Sequence, residues 1–148
     1  EISLPNSLKN IGSYAFADCK MLTKIQIPKS VKSIGSYAFS GCSSLSQIVI
    51  PESVDVINDN VFEKCVSLAE ISIPEATTAI GCYAFSECKS LIEIIIPLKV
   101  AYIGDYSFEG CSSLKQITIL SPDVKIGIDA FKGCNSISHI SIPSTVVI

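Results

Sequence analysis

The chain has 148 residues, of which 48% are hydrophobic, and its 14 acidic and 11 basic residues give a formal charge of −3 at pH 7. This length allows one domain with a substantial buried core. No apolar run approaches the roughly 20 residues of a membrane-spanning helix, and the basic residues do not form the clustered face that binds nucleic acid. We therefore expect no membrane insertion of this segment and no nucleic-acid partner.

A 23-residue repeat organises the sequence. Phenylalanine, cysteine and proline each recur at this interval, with Leu120 in one proline place. The recurring residues are Phe16, Phe39, Phe62, Phe85, Phe108 and Phe131, then Cys19, Cys42, Cys65, Cys88, Cys111 and Cys134, and Pro5, Pro28, Pro51, Pro74, Pro97 and Pro143. Residues 27–49 are a clean copy, IPKSVKSIGSYAFSGCSSLSQIV. The sequence thus contains six copies of one unit.

The first predicted element of each copy is a short strand. Isoleucines alternate with outward residues at period 2, as in Ile25-Gln26-Ile27. Equivalent strands are predicted at 48–50, 71–73, 94–96, 117–119 and 140–142. The proline that follows ends the strand because it has no N–H to donate.

The second predicted element is a glycine-containing turn followed by a short helix. The turn glycines are Gly12, Gly35, Gly81, Gly104 and Gly127, and the predicted helix caps are Ser13, Ser36, Asp59 and Asp105. Ala38, Phe39, Cys42 and Leu45 have a spacing that shares one helix face. Such a unit cannot bury a core alone, so the copies must stack. The predicted fold is an α/β solenoid with a parallel sheet on its concave face and short helical turns on its convex face.

Three copies depart from the unit, and the fourth does so with Thr77 at an apolar inward place and Cys82 at the capping place. The third has Asn58 in place of glycine and Asn60 in place of tyrosine. The sixth has Asp123 where valine is expected, and an unpaired charge does not remain in an apolar interior. We expect Val124 or Pro122 to fill the inward place there, and the sixth copy to be the loosest.

The cysteine column allows three interpretations. Stacked copies bring equivalent Cα atoms within about 5 Å, which is inside the disulfide range, although equivalent side chains point the same way. A metal site normally uses short local ligand spacings, which the sequence does not show. Buried free thiols are the preferred interpretation, with disulfides and a metal site as alternatives. Cys82 lies off the column and is expected to be the most accessible thiol.

The sequence gives no indication of an enzyme. Its only histidine, His139, falls at a strand-flanking surface position, and its glycines are turn residues instead of a phosphate-binding motif. Glu70 and Glu93 are expected to be close on neighbouring copies, where a weak cation site and a solvated acidic patch are both compatible with them. We predict no catalytic residues, no metal ligands and no cofactor.

The recurring string IPxSVxxIGxYAFxxCxxLxxIxI resembles the BspA-type leucine-rich repeats of surface proteins from bacteria and from parasitic protists such as trichomonads. The resemblance covers nearly the whole chain. It implies a right-handed leucine-rich-repeat solenoid that is displayed at the cell surface or secreted and that binds a protein, including host or extracellular-matrix proteins, in adhesion or recognition. It brings no catalytic residues. The alternative is a cytoplasmic scaffolding or self-assembling repeat protein, because free thiols suit a reducing compartment and no N-glycosylation site is present.

The outward positions of the strands form the predicted partner-binding surface. The candidate residues are Gln47, Val49, Glu70, Ser72, Ile92, Glu93, Ile95 and Leu98. Ile92, Ile95 and Leu98 gather on one copy, and an apolar cluster rimmed by charge is typical of protein contacts. The alternative is that Ile95 only reflects β-propensity and that the partner binds the tyrosine side. That side carries Tyr14, Tyr37, Tyr83 and Tyr106.

The chain is interpreted as a single domain, residues 1–148, taken from a longer array. It starts at Glu1 within a predicted strand and stops at Val146-Val147-Ile148 just after another, without a polar cap at either end. Uncapped rungs expose apolar surface and strand edges. We therefore expect end-to-end self-association.

Overall fold

The structure is a computed structural model in which residues 2–143 are described. The repeats stack as a parallel β-solenoid, and we number its turns, or rungs, from the prolines. Rung 1 is 5–27, rung 2 is 28–50, rung 3 is 51–73, rung 4 is 74–96, rung 5 is 97–119 and rung 6 is 120–142. The predicted terminal elements at Glu1 and at 146–148 lie outside the described residues.

The first row of strands overlaps the predicted positions, but each strand begins one residue earlier than predicted. It consists of β2 (Lys24–Ile25), β4 (Gln47–Ile48), β7 (Glu93–Ile96), β9 (Gln116–Ile119) and β11 (His139–Ser141). All pairing in this row is parallel: β2 pairs with β4, β7 pairs with β9, and β9 also pairs with β11. Ile2 forms a further parallel bridge to Ile25. The predicted parallel sheet is thus confirmed, with one gap at residues 71–73.

A second row of strands was missed by the sequence analysis. It consists of β1 (Asn10–Ile11), β3 (Ser33–Ile34), β5 (Val56–Ile57), β6 (Ala79–Ile80), β8 (Tyr102–Ile103) and β10 (Lys125–Ile126). These residues were assigned to the turn. They form strands because the glycine that follows lets the rungs approach closely, so that the Gly104 N–H donates to the Ile80 carbonyl at 2.8 Å.

The prediction of short helical turns was wrong, since residues 2–143 contain no helix. Alternate N–H groups point along the stack and cannot bond within a helix. Ala38 N donates to Gly35 O within the rung, whereas Phe39 N donates to Val61 O of the next rung at 2.9 Å. Positive φ angles at Tyr37 (60°) and Gly41 (74°) turn the backbone out of the helical path.

The predicted helix caps have a different partner. The Asp59 carboxylate accepts a hydrogen bond from Cys82 N at 2.8 Å, and the Asp105 carboxylate accepts one from Ile128 N at the same distance. Each bond therefore joins one rung to the next and does not close a helix end. We call the surface formed by the turns that follow the second strand row, such as residues 36–44 in rung 2, the turn side.

The core is a set of columns that run along the stack. Consecutive phenylalanine rings are stacked at centroid distances from 5.1 to 5.8 Å, and the four inner rings are fully buried. Phe16 and Phe131 are half-buried because each has a stacked ring on one side only. Burial of the Phe, Leu and Ile columns between rungs is the main stabilising contribution.

The rung 2–rung 3 boundary is the irregular one. An added Cβ at Gly104 would overlap the backbone of Cys82 and Gly81, and the equivalent Gly35, Gly81 and Gly127 also lie too close to the preceding rung to accept a Cβ. Rung 3 has Asn58 instead, and its Nδ2 replaces the missing backbone bond by donating to Ile34 O at 2.7 Å. β3 and β5 are not paired, and residues 71–73 pair with neither adjacent rung.

The sixth copy behaves partly as expected. Asp123 is exposed and Val124 is buried in the inward place. However, β10 pairs with β8 and β11 with β9, so the described part of this copy is held by both rows. The prediction that the sixth copy is the loosest was wrong with respect to strand pairing, because the loss occurs in rung 3.

Candidate partner-binding surface

The outward side chains of the first strand row form a continuous surface, which we call the strand face. All eight residues of the predicted site are exposed on it: Gln47, Val49, Glu70, Ser72, Ile92, Glu93, Ile95 and Leu98. They project outward because inward and outward positions alternate along each strand, as in β7, where Ile94 and Ile96 are buried. A role for these residues in binding stays a prediction.

Three exposed aliphatic side chains of this face lie on rung 4 and at the start of rung 5. Ile92, Ile95 and Leu98 are 45%, 53% and 61% exposed. We call these three residues the apolar triad. Val49 on rung 2 is 79% exposed and adds a separate apolar contact beyond Ser72. Large aliphatic side chains gathered on one exposed surface are typical of contact sites for proteins.

Carboxylates flank the outward column of Val49, Ser72 and Ile95. Glu70 and Glu93 lie on one side of this column, and Glu52 and Glu75 lie on the other side. The ion pairs of the described residues, Glu63–Lys64, Glu87–Lys89 and Asp129–Lys132, are all on the turn side. The four strand-face glutamates are therefore not neutralised by an ion pair within residues 2–143.

A groove of about 850 Å³ opens at the rung 1 end of the strand face. Its lining includes Lys24, Gln26, Lys29 and Val49. Val49 belongs to the predicted partner-binding residues, whereas Lys24, Gln26 and Lys29 do not. The two lysines give this end a positive charge, whereas the centre of the face is acidic.

The tyrosine side is less suited to capture a partner. Tyr14 stacks on Tyr37 at 4.6 Å and Tyr83 on Tyr106 at 4.9 Å, which covers one face of each ring, while Tyr14 is still 60% exposed. Asn60 interrupts the column, and its Nδ2 donates to the Glu63 carboxylate at 3.1 Å. The tyrosine side is therefore divided into two stacked pairs and does not form one continuous apolar surface.

All seven cysteines are free, as expected. The thiol of each inner column member donates to the phenylalanine carbonyl of the preceding rung, for example Cys88 Sγ to Phe62 O at 3.2 Å. Burial raises the pKa of Cys42 to about 11 and that of Cys88 to about 12, from an ordinary 9.0. Cys82 is half-buried, and Cys19 shares that exposure, which the sequence did not reveal.

Other chemical sites were sought in the described residues. Residues 2–143 contain no group of three or more His, Cys, Asp or Glu side chains that could hold a metal ion. His139 is exposed on β11. In the same part of the chain there is no helix with the length and apolar character to cross a membrane.

The stacked parallel rungs define a leucine-rich-repeat solenoid, the class of protein expected from the sequence. The family model of the BspA type leucine rich repeat region matches residues 1–111 and 55–148, with six copies. The chain belongs to the BspA-type leucine-rich repeat family, so the predicted family is confirmed. None of the curated proteins compared with the chain matches it.

Three solved structures of bacterial proteins are similar to the chain. A T. pallidum leucine rich repeat protein, TpLRR, is 34% identical with a TM-score of 0.86, over 90% of this chain and 63% of that one. A leucine rich cell surface protein from Faecalibacterium prausnitzii is 27% identical with a TM-score of 0.51, over 96% and 53%. The pneumococcal vaccine antigen PcpA is 24% identical with a TM-score of 0.71, over 85% and 32%, and shows the fold alone. The chain spans less than two thirds of each.

Proposed function

We propose that the chain is a protein-recognition or adhesion module that binds a macromolecular partner through the strand face. The observation that carries this proposal is the exposure of Ile92, Ile95 and Leu98 together on a face whose inward residues are buried. We also take this face to be the concave side of a right-handed solenoid, as the family resemblance implies. Gln47, Val49, Glu70, Ser72 and Glu93 surround the triad as its polar and apolar rim.

The apolar triad has the size of a binding hot spot. Covering one Ile or Leu side chain completely is worth about 1.5–3 kcal/mol, and the triad exposes about half of each of its three side chains. A partner that covers it therefore gains a few kcal/mol, which is typical of the few residues that dominate a protein interface. The proposed activity is binding alone, without catalysis and without a cofactor.

Cell-surface or secreted location is part of the proposal. It is supported by the Faecalibacterium prausnitzii relative, which is described as a cell surface protein. A host or extracellular-matrix protein is then the expected partner. A cytoplasmic scaffold is the second candidate, and it is favoured by the column of buried free thiols, which suits a reducing compartment.

A double variant, Ile95→Ser with Leu98→Ser, tests the proposal against a panel of purified extracellular-matrix proteins. Both residues are more than half exposed, so the fold should persist. The matched control is Met21→Ser with Ile128→Ser, which removes two apolar side chains that are 90% and 68% exposed elsewhere. We expect at least one panel protein to bind the wild type and the control, and to bind the double variant at least about tenfold more weakly.

Two results would overturn the proposal. The first is binding that the double variant retains at the strength of the control, because the partner would then use another face. The second is the absence of binding by every panel protein, which favours the cytoplasmic scaffold.

A further inference from the structure

We infer that the partner presents a cationic, apolar segment of protein to the centre of the strand face, with Lys or Arg residues placed beside aliphatic ones. This inference rests on the proposed function and specifies the chemistry of its partner. It combines two independent features of the face, the apolar triad and four nearby glutamates that form no ion pair within residues 2–143, although Glu52 accepts a hydrogen bond from Glu75 N at 3.1 Å.

Charge is segregated along the strand face. Residues 46–53, 69–76 and 92–99 carry four glutamates and one lysine, Lys99. The equivalent residues of the flanking rungs, 23–30 and 115–122, carry three lysines, Lys24, Lys29 and Lys115, and no acidic residue. The negative potential is therefore concentrated on the three middle rungs, where the triad also lies.

The position of the glutamates suggests how such a segment would lie. Glu70 and Glu93 flank the outward column that contains Ser72 and Ile95 on one side, and Glu52 and Glu75 flank it on the other. Neighbouring rungs are about 4.8 Å apart, and alternate residues of an extended chain are about 6.8 Å apart. An extended segment that crosses the rungs along this column can set an aliphatic residue on Ile95 and basic residues against both glutamate rows.

The same glutamate charges disfavour polyanionic and acidic partners. Nucleic acid and anionic lipid would be repelled from the middle rungs. An acidic protein segment would meet like charge beside the triad, which lowers both its association rate and its affinity. The oppositely charged parts of the described strand face lie toward its two ends, at the lysine-lined groove near rung 1 and at Lys115.

Short synthetic peptides test the inference directly. The probe is a peptide in which lysine and leucine occupy every second position in turn, with serine between them, so that in an extended chain both face the same side. Its two controls replace lysine with glutamate or leucine with serine. Affinity is measured by isothermal titration calorimetry for the wild type, for Glu70→Gln with Glu93→Gln, and for Glu109→Gln with Asp123→Asn. The last variant changes the charge equally away from the strand-face centre.

The lysine–leucine peptide should bind the wild type more tightly than either control peptide. Glu70→Gln with Glu93→Gln should weaken it by about fivefold or more, because two ion pairs to the peptide are lost. Glu109→Gln with Asp123→Asn should retain wild-type affinity. Raising the ionic strength from about 0.01 M to about 1 M shortens the Debye length from about 30 Å to about 3 Å and should weaken binding further.

The outcomes separate this inference from the proposed function. Equal binding of the glutamate–leucine peptide, or equal loss in both charge variants, overturns the cationic partner. If the matrix protein that binds the wild type binds Ile95→Ser with Leu98→Ser more weakly, the proposed function stands with a partner of different charge. If it binds this double variant as tightly as the wild type, the cationic partner and the proposed function are both overturned.

Discussion

The boundary between rungs 2 and 3 and the boundary between rungs 4 and 5 are built from the same repeat but are held together differently. At rungs 4–5 both strand rows are paired, β6 with β8 and β7 with β9. At rungs 2–3 neither row is paired, and the Phe39–Phe62 ring distance of 5.8 Å is the longest of the column. The turn side nevertheless continues through both boundaries.

The hydrogen bonds of the turn side are the interactions that both boundaries share. Across rungs 2–3, Tyr37, Phe39 and Gly41 donate to the backbone of the next rung at 2.8–3.1 Å, and Cys65 Sγ donates to Phe39 O. Tyr83, Phe85 and Glu87 make the equivalent bonds across rungs 4–5. The strand rows can therefore tolerate a substitution such as Asn58, whereas the phenylalanine and cysteine columns and their backbone bonds are present at both boundaries.

The largest expected effect concerns the phenylalanine column. Phe62→Ala and Phe85→Ala should each lower the free energy of unfolding by about 3–5 kcal/mol, because both rings are fully buried. Phe131→Ala should cost less, since its ring is half-buried. Denaturant melts of the three variants provide the measurement. A clearly smaller loss at Phe62 than at Phe85 would mean that the open boundary also weakens the turn side.

The next effect concerns the glycine that sets rung spacing. Gly104→Ala should cost about 1–3 kcal/mol, because its Cβ would overlap the backbone of the preceding rung. Gly12→Ala is the matched control, since its Cβ meets no atom within 4 Å. Its stability should change by less than about 1 kcal/mol. Equal losses in thermal melts would show that close approach is not the reason for glycine at Gly104.

The thiol column gives a pH-dependent effect. The folded pKa of Cys88 is about 12, above the ordinary 9.0, so its contribution to stability is complete below pH 9 and is lost as the pH rises toward 12. In that window unfolding releases a proton, and stability should fall by about 1.4 kcal/mol per pH unit. Cys88→Ala should have a correspondingly shallower slope in melts between these pH values. Identical slopes would contradict the burial of this thiol.

The sequence predicted much of this molecule because its repeat places the same residue type in one column. The Phe and Cys columns, the first strand row and the outward position of Ile95 follow from period and alternation alone. The helical turns did not, because Ala38, Phe39, Cys42 and Leu45 have spacings that serial tight turns share with a helix. Asn60 in the tyrosine column and Gly41 were signals of positive φ that the analysis did not use.

The unpaired segment of rung 3 could not be predicted from the repeat. Residues 71–73 have the strand pattern Ile-Ser-Ile, identical to 140–142, where β11 contains two of the three residues. Local propensity therefore does not explain the loss of pairing, which occurs on the rung that carries Asn58 in place of glycine.

Native-state hydrogen exchange is the most direct test of the claim that rung 3 is open at the strand rows and closed at the turn side. Amides of residues 71–73 lack pairing on both sides, whereas the equivalent residues Ile117–Ile119 lie in β9, which pairs with both β7 and β11. We expect 71–73 to exchange at least about a hundredfold faster than 117–119. Phe39 and Gly41 on the turn side should be protected to a degree similar to Phe85 and Glu87. Equal protection of 71–73 and 117–119 would contradict the account.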